Sequence, residues 1–242
     1  MTDANHRELL GQADVMLLIV ELLAPPGTVD GMLSAAVTLG PGFFERACLE
    51  GAVPLAALTR SLAYHAEDPA AAWEHTRLFE GAIACPITET AYIRRSKGAI
   101  LADVAAFHRA FGLALDPAAH EKADHLGAEL ELLAMLLVME HLATVDGDEE
   151  RRAITTAAIR AFAMDHLNEW IHGFTARLGA TAAHPFHAAL AAFIDAVWDA
   201  FAARRALPRP DALVTPVEDE GTPYECDMAD AAPRHETRSD AR

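Results

Sequence analysis

The sequence predicts an all-α protein, on three observations. β-branched residues are scattered and no segment alternates apolar with polar residues over more than a few positions, so strand signals are nearly missing. Apolar residues instead recur at helical spacing in one segment after another. Hydrophobic residues make up 52% of the 242, enough to bury well over half of the unfolded surface without disulfides or metals as staples. The expected architecture is a single helical domain of roughly nine to eleven helices over residues 1–206, followed by a tail.

Taken in order, His6 to Leu23 reads as the first helix, closed by Pro25-Pro26-Gly27. Short helices are expected around Val29 to Leu39, Gly42 to Glu50 and Pro54 to Ala66. In "DPAAAWEHTRLF" Asp68 takes an N-cap position and Pro69 the first helical turn, with Trp73 and Arg77 four apart, and the helix ends at Gly81. Gly81 to Gly98 shows no clear period and reads as a loop. Between Ala99 and Leu113, Ile100, Leu101, Val104, Phe107, His108 and Phe111 form one helical face. The linker near Gly112 to Ala123 would let two subdomains hinge or exchange, which leaves open both a monomer and a domain-swapped dimer.

A helix from Asp124 to about Ala143 follows, then a turn at "TVDGDEE". Two further helices are expected at roughly Glu149 to Met164 and His166 to Leu178. The last, Pro185 to Arg205, puts Phe186, Leu190, Phe193, Val197 and Phe201 on one face. Residues 207–242 hold five prolines and nine acids with little apolar content, which predicts a disordered or surface-wrapping tail.

The helix "DHLGAELELLAMLL", Asp124 to Leu137, carries more charge than a buried helix needs. Leu126, Leu130, Leu133 and Leu137 make one apolar stripe, and Leu132, Met135, Leu136 and Met139 extend apolar surface round most of the circumference. Glu129 and Glu131 point about 160° apart, so one solvent face cannot take both. At least one carboxylate therefore lies in the interior or in a groove. Asp124 stands where an N-cap carboxylate would meet the positive end of the helix dipole.

Composition excludes several functions. The formal charge is −17, from 36 acids against 19 bases, with no arginine or lysine cluster larger than a pair. Nucleic-acid binding needs a positive footprint that is missing, and no basic recognition helix suggests a transcription regulator. Three cysteines without CxxC spacing argue against a disulfide framework and point to a reducing compartment, with the cytoplasm as the default. The N-terminus lacks the basic region and cleavage site of a secretory signal, and the run Val15 to Leu23 is too short to span a membrane.

Twelve histidines invite a metal reading. A di-iron bundle wants two Glu-x-x-His pairs, and only Glu169 to His172 has that spacing. No HExxH occurs, and His125 with Glu129 supplies two ligands without an evident third. No metal, cofactor or catalytic residue is therefore assigned, and no nucleotide loop or nucleophile elbow is found. A metal- or haem-binding all-helical enzyme remains the competing class, with histidines as its ligands.

The segments "HTRLFEG" (His75 to Gly81), "TETAYI" (Thr88 to Ile93), "LADVAAFHRAFGL" (Leu101 to Leu113), "DHLGAELELLAMLL", "DHLNEWIHGFTARL" and "HPFHAALAAF" resemble in order the TorD/DmsD/NarJ family of redox-enzyme maturation chaperones. The resemblance covers roughly Leu9 to Phe201. It implies an all-helical cytoplasmic chaperone, not an enzyme. Such a chaperone binds the twin-arginine leader or N-terminus of the apo catalytic subunit of a molybdopterin oxidoreductase of the DMSO-reductase family. It assists folding, molybdenum cofactor insertion and export proofreading. Asp124 and His125 match the family's Asp-His pair, Glu129 its following glutamate, and Glu89 with Tyr92 its Glu-x-x-Tyr loop. Together with the adaptable Met135 they are the expected peptide-binding residues. Two positions depart from the pattern: His75 stands where a tyrosine is usual, and His187 where an aromatic follows Pro-Phe.

Overall fold

A computed structural model describes residues 3–25, 36, 38, 40–49, 68–81, 83–114 and 122–217. The described residues are helical and contain no strand. Helix α1 spans Asp3–Leu23 and α2 Pro41–Arg46. Helix α3, Pro69–His75, starts at the predicted cap, where the Asp68 side chain accepts from Ala70 N at 2.9 Å. It runs on through a π turn, Thr76–Glu80, to Gly81. A 3₁₀ turn, Glu89–Ala91, precedes α4, Lys97–Ala110. Helix α5 is Leu126–Val145, α6 Glu149–Phe162, α7 Asn168–Thr181 and α8 Pro185–Arg204.

Two expected helices merge. The break expected near Asp165 is a π turn, Ala163–Leu167, which joins α6 to α7 without interruption. With that pair taken as one, the described residues form seven helices, fewer than expected. The expected helix at Pro54 to Ala66 and most of the one at Val29 to Leu39 lie outside the described residues, as does the centre of the expected hinge.

Helix α5 is the axis of the core. Its stripe Leu126, Leu130, Leu133 and Leu137 is fully buried, and the helix packs chiefly against α1 and α6. Gly147, at φ 68°, turns the chain out of α5, and the Asp148 side chain caps α6 by accepting from Arg151 N at 2.9 Å. Helix α8 is long and apolar enough to cross a membrane by length and composition, yet its predicted face Phe186, Leu190, Phe193, Val197 and Phe201 is buried in the core. Residues 207–217 lie against the helical body. Asn168 Nδ2 donates to Pro208 O at 2.8 Å, Arg209 pairs with Asp199 at 3.0 Å, and Val217 N donates to Ala91 O at 2.7 Å. The expected tail beyond residue 217 lies outside the described residues.

Candidate functional site: a cleft beside a buried carboxylate cluster

The loop after α3 and the start of α5 are held together by backbone. Glu89 N donates to Asp124 O at 2.9 Å and Leu126 N to Ile87 O at 3.0 Å, making a single antiparallel bridge between Thr88 and His125. This bridge corrects the cap expected at Asp124. The backbone of Asp124 is committed to the bridge, so α5 begins two residues later, and its cap is His125, whose Nδ1 accepts from Gly127 N at 3.1 Å. Asp124 turns the other way and accepts from Thr90 N at 3.2 Å.

Inside this joint sits a cluster of acids. Glu89, Asp124 and Glu129 are each 0% exposed. One oxygen of Glu89 accepts from Arg95 at 2.8 Å, and the other lies 2.7 Å from His166 Nδ1. Glu129 Oε2 accepts from Trp170 Nε1 at 3.3 Å, while Glu129 Oε1 and Asp124 Oδ1 are buried without a hydrogen-bond partner. Burial, and next the charge of Glu89, hold the Glu129 carboxyl well above the usual carboxylate range. Burial and the neighbouring acid thus both favour the neutral form of Glu129, which eases the crowding of three carboxyl groups in one dry place. Tyr92 completes the joint: its ring stacks on Trp170 at 5.3 Å and its hydroxyl donates to Pro86 O at 2.9 Å, pinning the loop.

On the outer side of the same joint is a cleft of about 550 Å³. Its apolar walls come from Val20 and Leu23 of α1, Phe79 of the first π turn, and Ile83, Pro86 and Ile87 of the loop. Its polar groups are Glu80, Thr88, Lys122, His125 and Glu131. The two glutamates of α5 thus part as the helical wheel requires, Glu129 into the core and Glu131 onto the cleft.

Of the six expected peptide-binding residues, the structure brings Asp124, Glu89, Glu129 and Tyr92 together, but inside. In this conformation those four side chains have almost no surface to offer a docked peptide, and an arginine of the chain itself, Arg95, occupies Glu89. His125 lines the cleft. Met135 is exposed on α5 one turn beyond Glu131, outside the cleft lining. Sequence reasoning missed His166, Trp170 and Arg95 in the cluster and Glu80 on the cleft; Glu131 is one of the two glutamates between which the helical wheel left the groove undecided. The available signal was the second Asp-His-Leu run, at 165–167, with Trp170 three residues on.

Both departures from the family pattern fall in one place. The rings of His75 and His187 are 6.4 Å apart, and Phe79 packs on His75 at 5.0 Å and on His187 at 6.1 Å. His75 Nε2 also reaches Leu23 O at 3.2 Å, so this histidine links the end of α3 to the end of α1 at the cleft wall.

Residues 48–176 match the family model described as nitrate reductase delta subunit. That span contains the joint, the whole carboxylate cluster and the α5 side of the cleft. The chain is also 38% identical over 87 residues to the chlorate reductase assembly chaperone protein of Ideonella dechloratans. The match covers 36% of this chain and 44% of that relative, so it spans less than half of the relative's length. With more than half of its residues inside the family model and the two motif segments bridged to one another, the chain belongs to the nitrate reductase delta subunit family, the TorD/DmsD/NarJ-type redox-enzyme maturation chaperones.

Proposed function

We propose that the protein is a dedicated cytoplasmic chaperone that binds the twin-arginine leader or N-terminus of the apo catalytic subunit of a molybdenum-containing DMSO-reductase-family enzyme. It holds that segment during folding, cofactor insertion and export proofreading, and catalyses no reaction of its own. The observation that carries this reading is the cleft: an apolar trough of α1, π-turn and loop side chains that bears two carboxylates, Glu80 and Glu131. A twin-arginine leader offers two guanidinium forks followed by a short apolar segment. Carboxylates suit the forks, which bind them through paired charge-assisted hydrogen bonds, and the apolar trough suits the rest. Met135, four residues after Glu131 on the same helix face, extends the apolar track beyond the cleft. The buried residues Asp124, Glu89, Glu129 and Tyr92 then act by holding the loop wall in position.

The test uses the full chain and synthetic twin-arginine leaders of DMSO-reductase-family catalytic subunits, with binding followed by calorimetry. Glu131→Lys and Glu80→Lys are each expected to weaken the cognate leader by roughly tenfold or more, the loss of one charge-assisted contact. Thermal unfolding should stay unchanged. Replacing both leader arginines by alanine should have the same effect. Binding that ignores both charge reversals would move the site elsewhere, and failure of every leader to bind would remove the leader-binding reading.

A further inference from the structure

We propose that Glu89, Glu129 and His166 form a binding site for one divalent zinc-class cation inside the domain. One donor atom from each of the three lies within 4.8 Å of the other two, and all three side chains are fully buried. They come from three separate elements: the 3₁₀ turn, α5 and the second π turn. No spacing in the sequence brings them together.

An acidic cluster alone is no site, and two further features of this one point to a cation. Glu129 Oε1 is buried with no N–H donor on it, although its sister oxygen takes the Trp170 N–H, and the Glu89 carboxyl is its acidic neighbour, so either a proton or a cation must sit between the two acids. His166 presents the two-sided arrangement of a metal-ligating imidazole. Its Nδ1 faces Glu89 at 2.7 Å, and its buried Nε2 lies 3.8 Å from the carboxylate of Asp103, where ligating histidines keep their orienting acid. The π turn that carries His166 interrupts a helix with neither proline nor glycine in the turn. Such single-turn bulges collect at functional sites.

The donor set selects among cations. Two carboxylate oxygens and one imidazole nitrogen in a dry, closed place suit a borderline ion of low coordination number. Magnesium keeps several waters and calcium takes six to eight oxygens, and neither demand is met by a trio with no solvent beside it. A cation seated here takes the place of the proton in the His166 to Glu89 hydrogen bond and of the proton that burial favours on Glu129, and both leave to solvent as it binds. Arg95, which now neutralises Glu89 from the surface side and also donates to Asp165 O at 3.1 Å, has a partly exposed side chain and can turn outward by giving up these two contacts. The entry route is therefore one side chain deep, past Arg95 and the exposed Asp103. A cation would tie the loop wall of the cleft, through Glu89, to α5 and α7.

The experiment strips the full chain with a chelator and titrates it with zinc alone against a chromophoric competitor. The expected result is one zinc per chain, with Glu129→Gln weakening it by at least ~10-fold to 100-fold while circular dichroism stays that of the wild type. X-ray absorption of the zinc-loaded wild type is expected to show only nitrogen and oxygen neighbours, with a single imidazole. This keeps the site testable if Glu129→Gln does not fold. No zinc retained against the competitor, equal retention by a folded Glu129→Gln, or a shell with sulfur or several imidazoles would each overturn the site.

Discussion

Glu74 holds three pieces of chain with one carboxylate. Buried at the end of α3, it accepts two hydrogen bonds from Arg77, at 2.7 and 2.9 Å, and one from Ala183 N at 2.6 Å. The Arg77 hydrogen bonds, opposed by burial and helped by the backbone donors, hold its pKa at about 2. A carboxyl with a depressed folded-state pKa stabilises fully above its unfolded value, near 4.5, and loses that contribution as pH falls through about 2. The acid limb of stability between about pH 4.5 and 2 is thus expected to carry up to about 3 kcal/mol from this residue. Glu74→Gln should lose most of that amount at pH 7 and flatten the limb, read from urea midpoints at several pH values. Equal slopes in both proteins would refute it. The residue scale also marks a limit of sequence reading. The wheel separated Glu129 from Glu131 by geometry, but which of the two lies inside is decided by Trp170 and Glu89, each about forty residues away along the chain. Period alone carries no such information.

At the scale of elements, caps marked by a neighbouring proline or glycine turn were legible, while the cap of α5 and the bulges were not. Asp68 with Pro69 and the turn before Glu149 mark helix starts because a short acceptor or a missing N–H satisfies an end that water would otherwise have to serve. The second π turn adds one residue to a helical turn with no proline or glycine to signal it, so the continuous α6–α7 rod was read as two helices. A close crossing is equally silent. A Cβ placed on Gly11 of α1 would stand 2.7 Å from Ala47 N and from the Arg46 carbonyl carbon, both backbone atoms at the end of α2 that cannot turn aside. Gly42, inside α2, has no atom within 4 Å of the same position. Gly11→Ala is therefore expected to destabilise by about 1–3 kcal/mol, the usual effect of overpacking. Gly42→Ala should be neutral or stabilise by up to about 1 kcal/mol through helix propensity. Denaturant midpoints of the two variants should move in opposite directions or differ by at least that gap, and equal shifts would mean that α1 and α2 do not meet at Gly11.

At the scale of the whole molecule, residues 207–217 determine how far the folded body extends. The composition that predicted a disordered or surface-wrapping tail, rich in proline and acid, is blind to the single places where backbone meets backbone. One of these is Gly173 in α7, where an added Cβ would overlap the carbonyl oxygen of Val214. Three residues on, Val217 donates to Ala91 and so ties the strap to the turn that carries Glu89. The same substitution should then change sign with the strap. In the full chain Gly173→Ala must push Val214 away and is expected to lower stability, because backbone cannot yield as a flexible side chain can. In a chain ending at Pro210, which keeps the Asn168 and Arg209 contacts but lacks Val214, only helix propensity remains. Alanine should there stabilise by about 0.5–1 kcal/mol. The two backgrounds and two variants form a cycle whose interaction energy isolates the strap contact from the intrinsic preference of the helix. Thermal or urea unfolding of the four proteins measures it directly. A coupling near zero would mean that the strap does not rest on α7 in solution. A coupling of more than about 1 kcal/mol would make residues 211–217 part of the scaffold behind the Glu89 turn.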